Sequence, residues 1–135
     1  MNSKLLPMHE PSRAYAQFLC TGIASPVEKW QKVTAWVSKA FVYDFVRAFT
    51  IPKKNGTPDL ERCWNLRMGI CLDIASLTVG MLRACGINAY MVWGHADTHY
   101  HAWVEATISG KTYRYDHENI KGDKVRAYKK EKVIG

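Results

Sequence analysis

The chain has 135 residues, 47% hydrophobic and 23% charged, with a formal net charge of +7 and four cysteines. That is one globular domain able to bury its own core, and no apolar run approaches the roughly 20 residues of a membrane-spanning helix. No long apolar stretch follows the N-terminal residues, so no signal peptide is expected; the sequence reads as cytoplasmic, or as a domain cut from a longer exported chain.

Residues 1 to 11 contain Pro7 and Pro11 and little periodicity, and read as an arm. Ser12 is placed to cap a helix carrying Ala14, Tyr15, Phe18 and Leu19 on one face and ending at Gly22. Ser25-Pro26-Val27-Glu28 is a stronger start signal: a capping serine and glutamate, with proline at the first helical position. The helix it opens puts Val27, Trp30, Val33, Val37, Ala40 and Phe41 on one stripe, its tryptophans as core anchors. Pro52 and Asn55-Gly56 mark an exposed turn. Thr57-Pro58-Asp59 starts a short helix facing Leu60, Cys63 and Trp64 inward, and Arg67-Met68-Gly69 ends it.

Cys71 then opens a helical run to Cys85, with Ile74, Ala75, Thr78 and Leu82 at three-to-four spacing and Gly86 at the C-terminal glycine position. Gly69 is expected to let the backbone turn into this helix without a side-chain clash. The thiol lies on the first turn, where unpaired N–H groups and the macrodipole favour a thiolate. After Gly86 the period changes from 3.6 to 2. Ala89 to Trp93 form a strand closed by Gly94, and His95 to Thr98 a loop. Tyr100 to Thr107 alternate, with His101, Trp103, Glu105 and Thr107 on one face. Ser109-Gly110 turns the chain, which places Asp116 opposite Trp103 and one diagonal step from His101 on the same face. From His117 onward the chain reads as irregular. Residues 121 to 135 hold six Lys or Arg against Asp123 and Glu131, a basic, solvated tail. Without an aromatic-interleaved module beside it, no nucleic-acid partner is expected.

A thiol at a helix N-terminus, a mid-strand imidazole and a same-face carboxylate are a nucleophile, its base and the base's orienter. Such a group attacks an amide carbonyl, expels an amine and leaves a thioester, without a cofactor. Water resolving the thioester gives hydrolysis; a lysine amine gives cross-linking. The N–H of Cys71 is placed to stabilise the oxyanion, with Trp64 or Tyr43 as guesses for a second donor. The remaining three cysteines, with no Cys-x-x-Cys pair, suit free thiols and a reducing compartment, one disulfide plus one buried thiol being the alternative.

Gly69-Ile70-Cys71-Leu72-Asp73-Ile74-Ala75, Leu82-Arg83-Ala84-Cys85-Gly86-Ile87-Asn88-Ala89, His101-Ala102-Trp103-Val104-Glu105 and Tyr113-Arg114-Tyr115-Asp116 together resemble the transglutaminase-like superfamily. Phe41-Val42-Tyr43-Asp44 is similar to the end of that family's lead-in helix. The resemblance implies an α+β, papain-related fold, with N-terminal helices on an antiparallel sheet and the nucleophile at the N-terminus of the central helix. It implies the catalytic residues Cys71, His101 and Asp116, a peptide or protein substrate, and hydrolysis in preference to cross-linking, as in the family's small bacterial-type members. Asp116-His117-Glu118 departs from the family's usual Asp-Pro-Thr.

Two readings from other classes stand beside this one. His95, Asp97, His99 and His101 recur at every second position, as metal ligands on a strand would. Same-face strand residues lie about 6–7 Å apart, too far for four ligands about 2 Å from one ion without a tight loop. The other is a non-catalytic domain that holds a peptide in the same cleft.

Overall fold

The structure, a computed structural model, describes residues 7–50, 57–96, 99–119 and 128–134. Helix α1 (Glu10–Leu19) starts earlier than its sequence suggests, because His9 is the cap: its ring accepts the Ser12 N–H at 3.3 Å. Its buried stripe is Ser12, Ala16 and Cys20; of the predicted face, Tyr15 and Leu19 pack half-buried against the core, while Ala14 and Phe18 are exposed. Small side chains on that stripe allow close approach to the central helix, which outweighs the larger apolar face predicted from periodicity. In α2 (Pro26–Ala40) Ser25 accepts the Glu28 N–H as expected, and Trp30, Val33 and Val37 are buried.

Phe41 breaks α2 with extended backbone, so the next residues do not prolong the lead-in helix. They form a two-residue strand, β1 (Val42–Tyr43), pairing in parallel with β2 (Met68–Gly69). Between them lie α3 (Phe45–Thr50) and α4 (Leu60–Leu66), the latter capped by Asp59 and ended by Arg67 in the left-handed region. The turn expected at Pro52 and Asn55-Gly56 lies outside the described residues. Trp64 does not line the cleft described below; it joins Trp36 and Phe41 in an aromatic cluster, with the Arg67 guanidinium 4.0 Å from its ring centroid.

The central helix α5 (Cys71–Ala84) is buried almost all round, from Leu72 to Val79 and again at Met81 and Leu82. It ends as predicted: Gly86 has φ +84°, and the N–H groups of Gly86 and Ile87 return to the carbonyls of Arg83 and Leu82. Gly69 avoids a side-chain clash at the entry to this helix, as expected, and does so without a left-handed backbone. A Cβ there would lie 2.8 Å from the Asp73 Cβ and 2.9 Å from the Cys63 sulfur.

The sheet is antiparallel in the order β5-β4-β3-β6. Strand β3 (Asn88–Ala96) runs through Gly94 rather than stopping there, and pairs with β4 (His99–Ile108) from Asn88↔Thr107 to Ala96↔His99. Ser109 and Gly110, both at positive φ, make the tight turn into β5 (Lys111–Tyr115). The largest difference is at the C-terminal end. Residues 121–127 lie outside the described residues, but Tyr128–Ile134 form β6, paired with β3 across a register shift at Trp93/Gly94. A Cβ on Gly94 would lie 2.1 Å from the Lys129 carbonyl oxygen, so only glycine permits β6 to approach. Lys130 also ion-pairs with the fully buried Glu105. The tail is therefore an edge strand that neutralises a buried acid. Among the described residues no helix is long and apolar enough to cross a membrane.

Candidate functional site

Cys71 is the first residue of α5, and its N-cap, Ile70, has no side-chain acceptor to consume the first-turn N–H groups. What fixes this helix end is Asp73, fully buried on the same turn. Its carboxylate accepts the Ile70 N–H at 3.0 Å, the Asp59 N–H at 2.9 Å, and Arg47 through Nε at 2.6 Å and Nη2 at 2.9 Å. Asp44, equally buried, accepts the Arg47 N–H at 3.1 Å and Arg62 through Nη2 at 2.9 Å. The two acids thus tie α3, α4 and α5 together under the thiol. Asp73 lies within the sequence block that carries the resemblance, but spacing alone gave it no role.

On β4 the alternation holds: His101, Trp103 and Glu105 share a face and are buried, and the Trp103 indole donates to Glu105 at 2.9 Å. The hairpin register places Asp116 one residue beyond Tyr115, which pairs with Val104. His101 Nε2 and Asp116 Oδ1 are 2.8 Å apart. Asp116 also accepts the Glu118 N–H at 3.0 Å and, on Oδ2, the hydroxyl of Tyr128 at 2.8 Å. Tyr128 comes from β6, so the segment read as a tail reaches into the site. Its ring packs edge-on against Trp103 and under the Arg114 guanidinium.

With Nε2 committed to Asp116, Nδ1 of His101 is left to Cys71 and to Glu118, whose carboxylate is 3.7 Å away. The ligand atoms of Cys71, His101 and Glu118 lie within 4.8 Å of one another. Burial alone would lower the affinity of His101 for a proton, but hydrogen bonds to Asp116 and Cys71 push its pKa up to about 10. Burial would raise Asp116, yet the His101 hydrogen bond and charge, with Tyr128 and the Glu118 N–H, hold it below the usual carboxylate value. Cys71 is half-buried, whereas Cys20, Cys63 and Cys85 are buried. Burial pushes the Cys63 and Cys85 thiols up to about 12.

Cys71 opens on a cleft also lined by Tyr43, Ala102, Asp116, His117 and Glu118. Residues 117–119 make a 3-10 turn after Asp116, where the departure from Asp-Pro-Thr occurs, and the His117 ring Nε2 lies 3.0 Å from the Phe41 carbonyl. The three residues predicted from sequence therefore come together, joined by Glu118 and Tyr128, which sequence reasoning missed. The histidine alternative does not assemble in the form expected. His95 pairs with Tyr100 and Gly94 with His101, so His95 and His101 lie on opposite faces of the hairpin; the side chain of His99 lies outside the described residues.

Residues 13–117 match the family model described as the transglutaminase-like superfamily. Among solved structures, the chain is similar to a protein described as a candidate cysteine protease from Cytophaga hutchinsonii. That match has a TM-score of 0.66 and 23% identity, and covers 82% of this chain and 38% of the other. It is also similar to the periplasmic domain of TgpA from Pseudomonas aeruginosa, with a TM-score of 0.63, 24% identity and coverage of 87% and 46%. A protein described as a candidate protease from Parabacteroides distasonis matches with a TM-score of 0.63, 24% identity and coverage of 78% and 22%. The chain thus spans less than half the length of each of these structures, and at these identities the likeness is one of fold. No curated protein matches the sequence.

Proposed function

The chain belongs to the transglutaminase-like superfamily, and we propose that it is a cysteine-dependent acyl-transfer enzyme acting on amide bonds of peptides or proteins. Cys71 is the nucleophile, His101 the base and Asp116 its orienter. The observation that carries the reading is one imidazole with Asp116 at 2.8 Å on one nitrogen and the sulfur of half-buried Cys71 near the other.

In this reading Cys71 Sγ gives its proton to His101 Nδ1 and attacks the carbonyl carbon, pushing the C=O π electrons onto oxygen. The Cys71 N–H donates to that oxyanion; Tyr43, on the rim of the same cleft, supplies the second donor. The imidazolium then protonates the departing amine as the C–N bond breaks, leaving a thioester. Water, deprotonated by the same imidazole, adds to the thioester, and the thiol leaves with its proton restored. An amine in place of water would give cross-linking.

Digestion of a peptide library read by mass spectrometry, with and without a free amine, tests this. New C-termini or deamidated side chains are expected with the wild type and none with Cys71→Ala. Equal products from both proteins would overturn the reading.

A further inference from the structure

Among the described residues, metal-ligating atoms of three different types converge in one place, on Cys71, His101 and Glu118, all within 4.8 Å of one another. A tetrahedral Zn²⁺ holds nitrogen and oxygen at about 2.0–2.2 Å and sulfur at about 2.3 Å, which sets its ligand atoms about 3.4–3.6 Å apart. The Glu118 carboxylate and His101 Nδ1, 3.7 Å apart, already stand at that separation. The sulfur has to close by little more than about an ångström, within reach of a small side-chain rotation at the helix end. Thiolate, imidazole and carboxylate together suit zinc, not the all-oxygen demands of calcium or magnesium.

The surroundings fit an ion as well. A zinc-ligating histidine commonly gives its other ring N–H to a carboxylate, which fixes the tautomer and raises ligand basicity. Asp116 holds Nε2 in this way at 2.8 Å, and Tyr128 holds Asp116 at 2.8 Å. His101 is buried, while Cys71 and Glu118 are half-buried on the cleft, which leaves an entry path and an open fourth position.

We propose that Cys71, His101 and Glu118 form a three-ligand Zn²⁺ site whose occupation silences the Cys71 thiol. As the ion enters, bonds form to sulfur, Nδ1 and a Glu118 oxygen, and the proton shared by Sγ and Nδ1 leaves to solvent; nothing is oxidised or reduced. The ion takes the sulfur that acyl transfer would use, so the metal-bound and reactive states exclude one another. Binding itself is independent of the acyl-transfer reading.

The test is titration of the whole chain with Zn²⁺ alone, in competition with a chromophoric chelator, followed by Co²⁺ as a spectroscopic substitute. One ion per chain is expected. Affinity should fall by at least about tenfold in Glu118→Gln and further in Cys71→Ala, with circular dichroism confirming that both variants are folded. The cobalt-loaded wild type should show a thiolate-to-metal charge-transfer band that Cys71→Ala lacks. Absence of binding at micromolar Zn²⁺, or equal affinity in the wild type and both variants, would overturn the proposal.

Discussion

Asp73 and Asp116 are both buried carboxylates beside a basic side chain, and they are held very differently. Asp73 faces a permanent cation through a two-pronged Arg47 contact and is saturated by two backbone N–H groups. Asp116 faces a titratable imidazole whose second nitrogen looks onto the thiol of half-buried Cys71. The first arrangement is closed: each of its contacts goes to a permanent cation or a backbone N–H, and it pins three helices. The second is open at one end, and a mobile proton is what acid–base chemistry requires. Burial and pairing alone therefore do not distinguish the two acids; the identity of the cation and what lies behind it do.

Removing each acid should separate the two roles. Asp116→Asn should cut turnover by about 10³- to 10⁴-fold, because the amide favours the wrong imidazole tautomer, while the circular dichroism spectrum stays unchanged. Asp73→Asn should instead cost about 3–5 kcal/mol of stability in urea unfolding, the usual result of leaving a buried charge unpaired. Any activity it retains should show the wild-type pH profile. Tyr128→Phe keeps the ring on Trp103 and removes one hydrogen bond to Asp116. A bond to a charged group is worth about 1.5–3 kcal/mol of stability, so a melting temperature lowered by several degrees is expected, with a fall in kcat of about tenfold or more.

The pH dependence sharpens the contrast further. His101 titrates at about 10, above its ordinary 6.5, so its stabilising charge is fully present below pH 6.5 and is lost as pH rises through about 10. Asp116 is shifted down, so its contribution is present above the ordinary carboxylate value and is lost on acidification below it. Melting temperature should therefore hold across neutral pH and fall at the alkaline end. In Asp116→Asn that alkaline fall should begin nearer neutrality.

The block from Gly69 to Asp116 was legible because local rules agree there. A glycine-capped helix, strict alternation on β4 and a two-residue turn leave one register, and that register places the acid beside the imidazole. The rest was hidden for identifiable reasons. β6 carries lysines and a glutamate with little apolar alternation, because it is an edge strand whose Lys130 answers Glu105 across the sheet. That long-range pairing has no local signature. The buried face of α1 is built from Ser12, Ala16 and Cys20, which a search for large apolar residues passes over. Strands β1 and β2 are two residues each, too short for any period to register.

The central claim is that one thiol of four is activated by one imidazole. Alkylation with limiting iodoacetamide at mildly acidic pH, mapped by peptide mass spectrometry, tests it on the protein as it stands. Cys71 should be modified well ahead of Cys20, Cys63 and Cys85, and that lead should shrink by at least about 10²-fold in His101→Ala. Slow, even labelling of all four thiols, or a lead for Cys71 that survives the loss of His101, would contradict it.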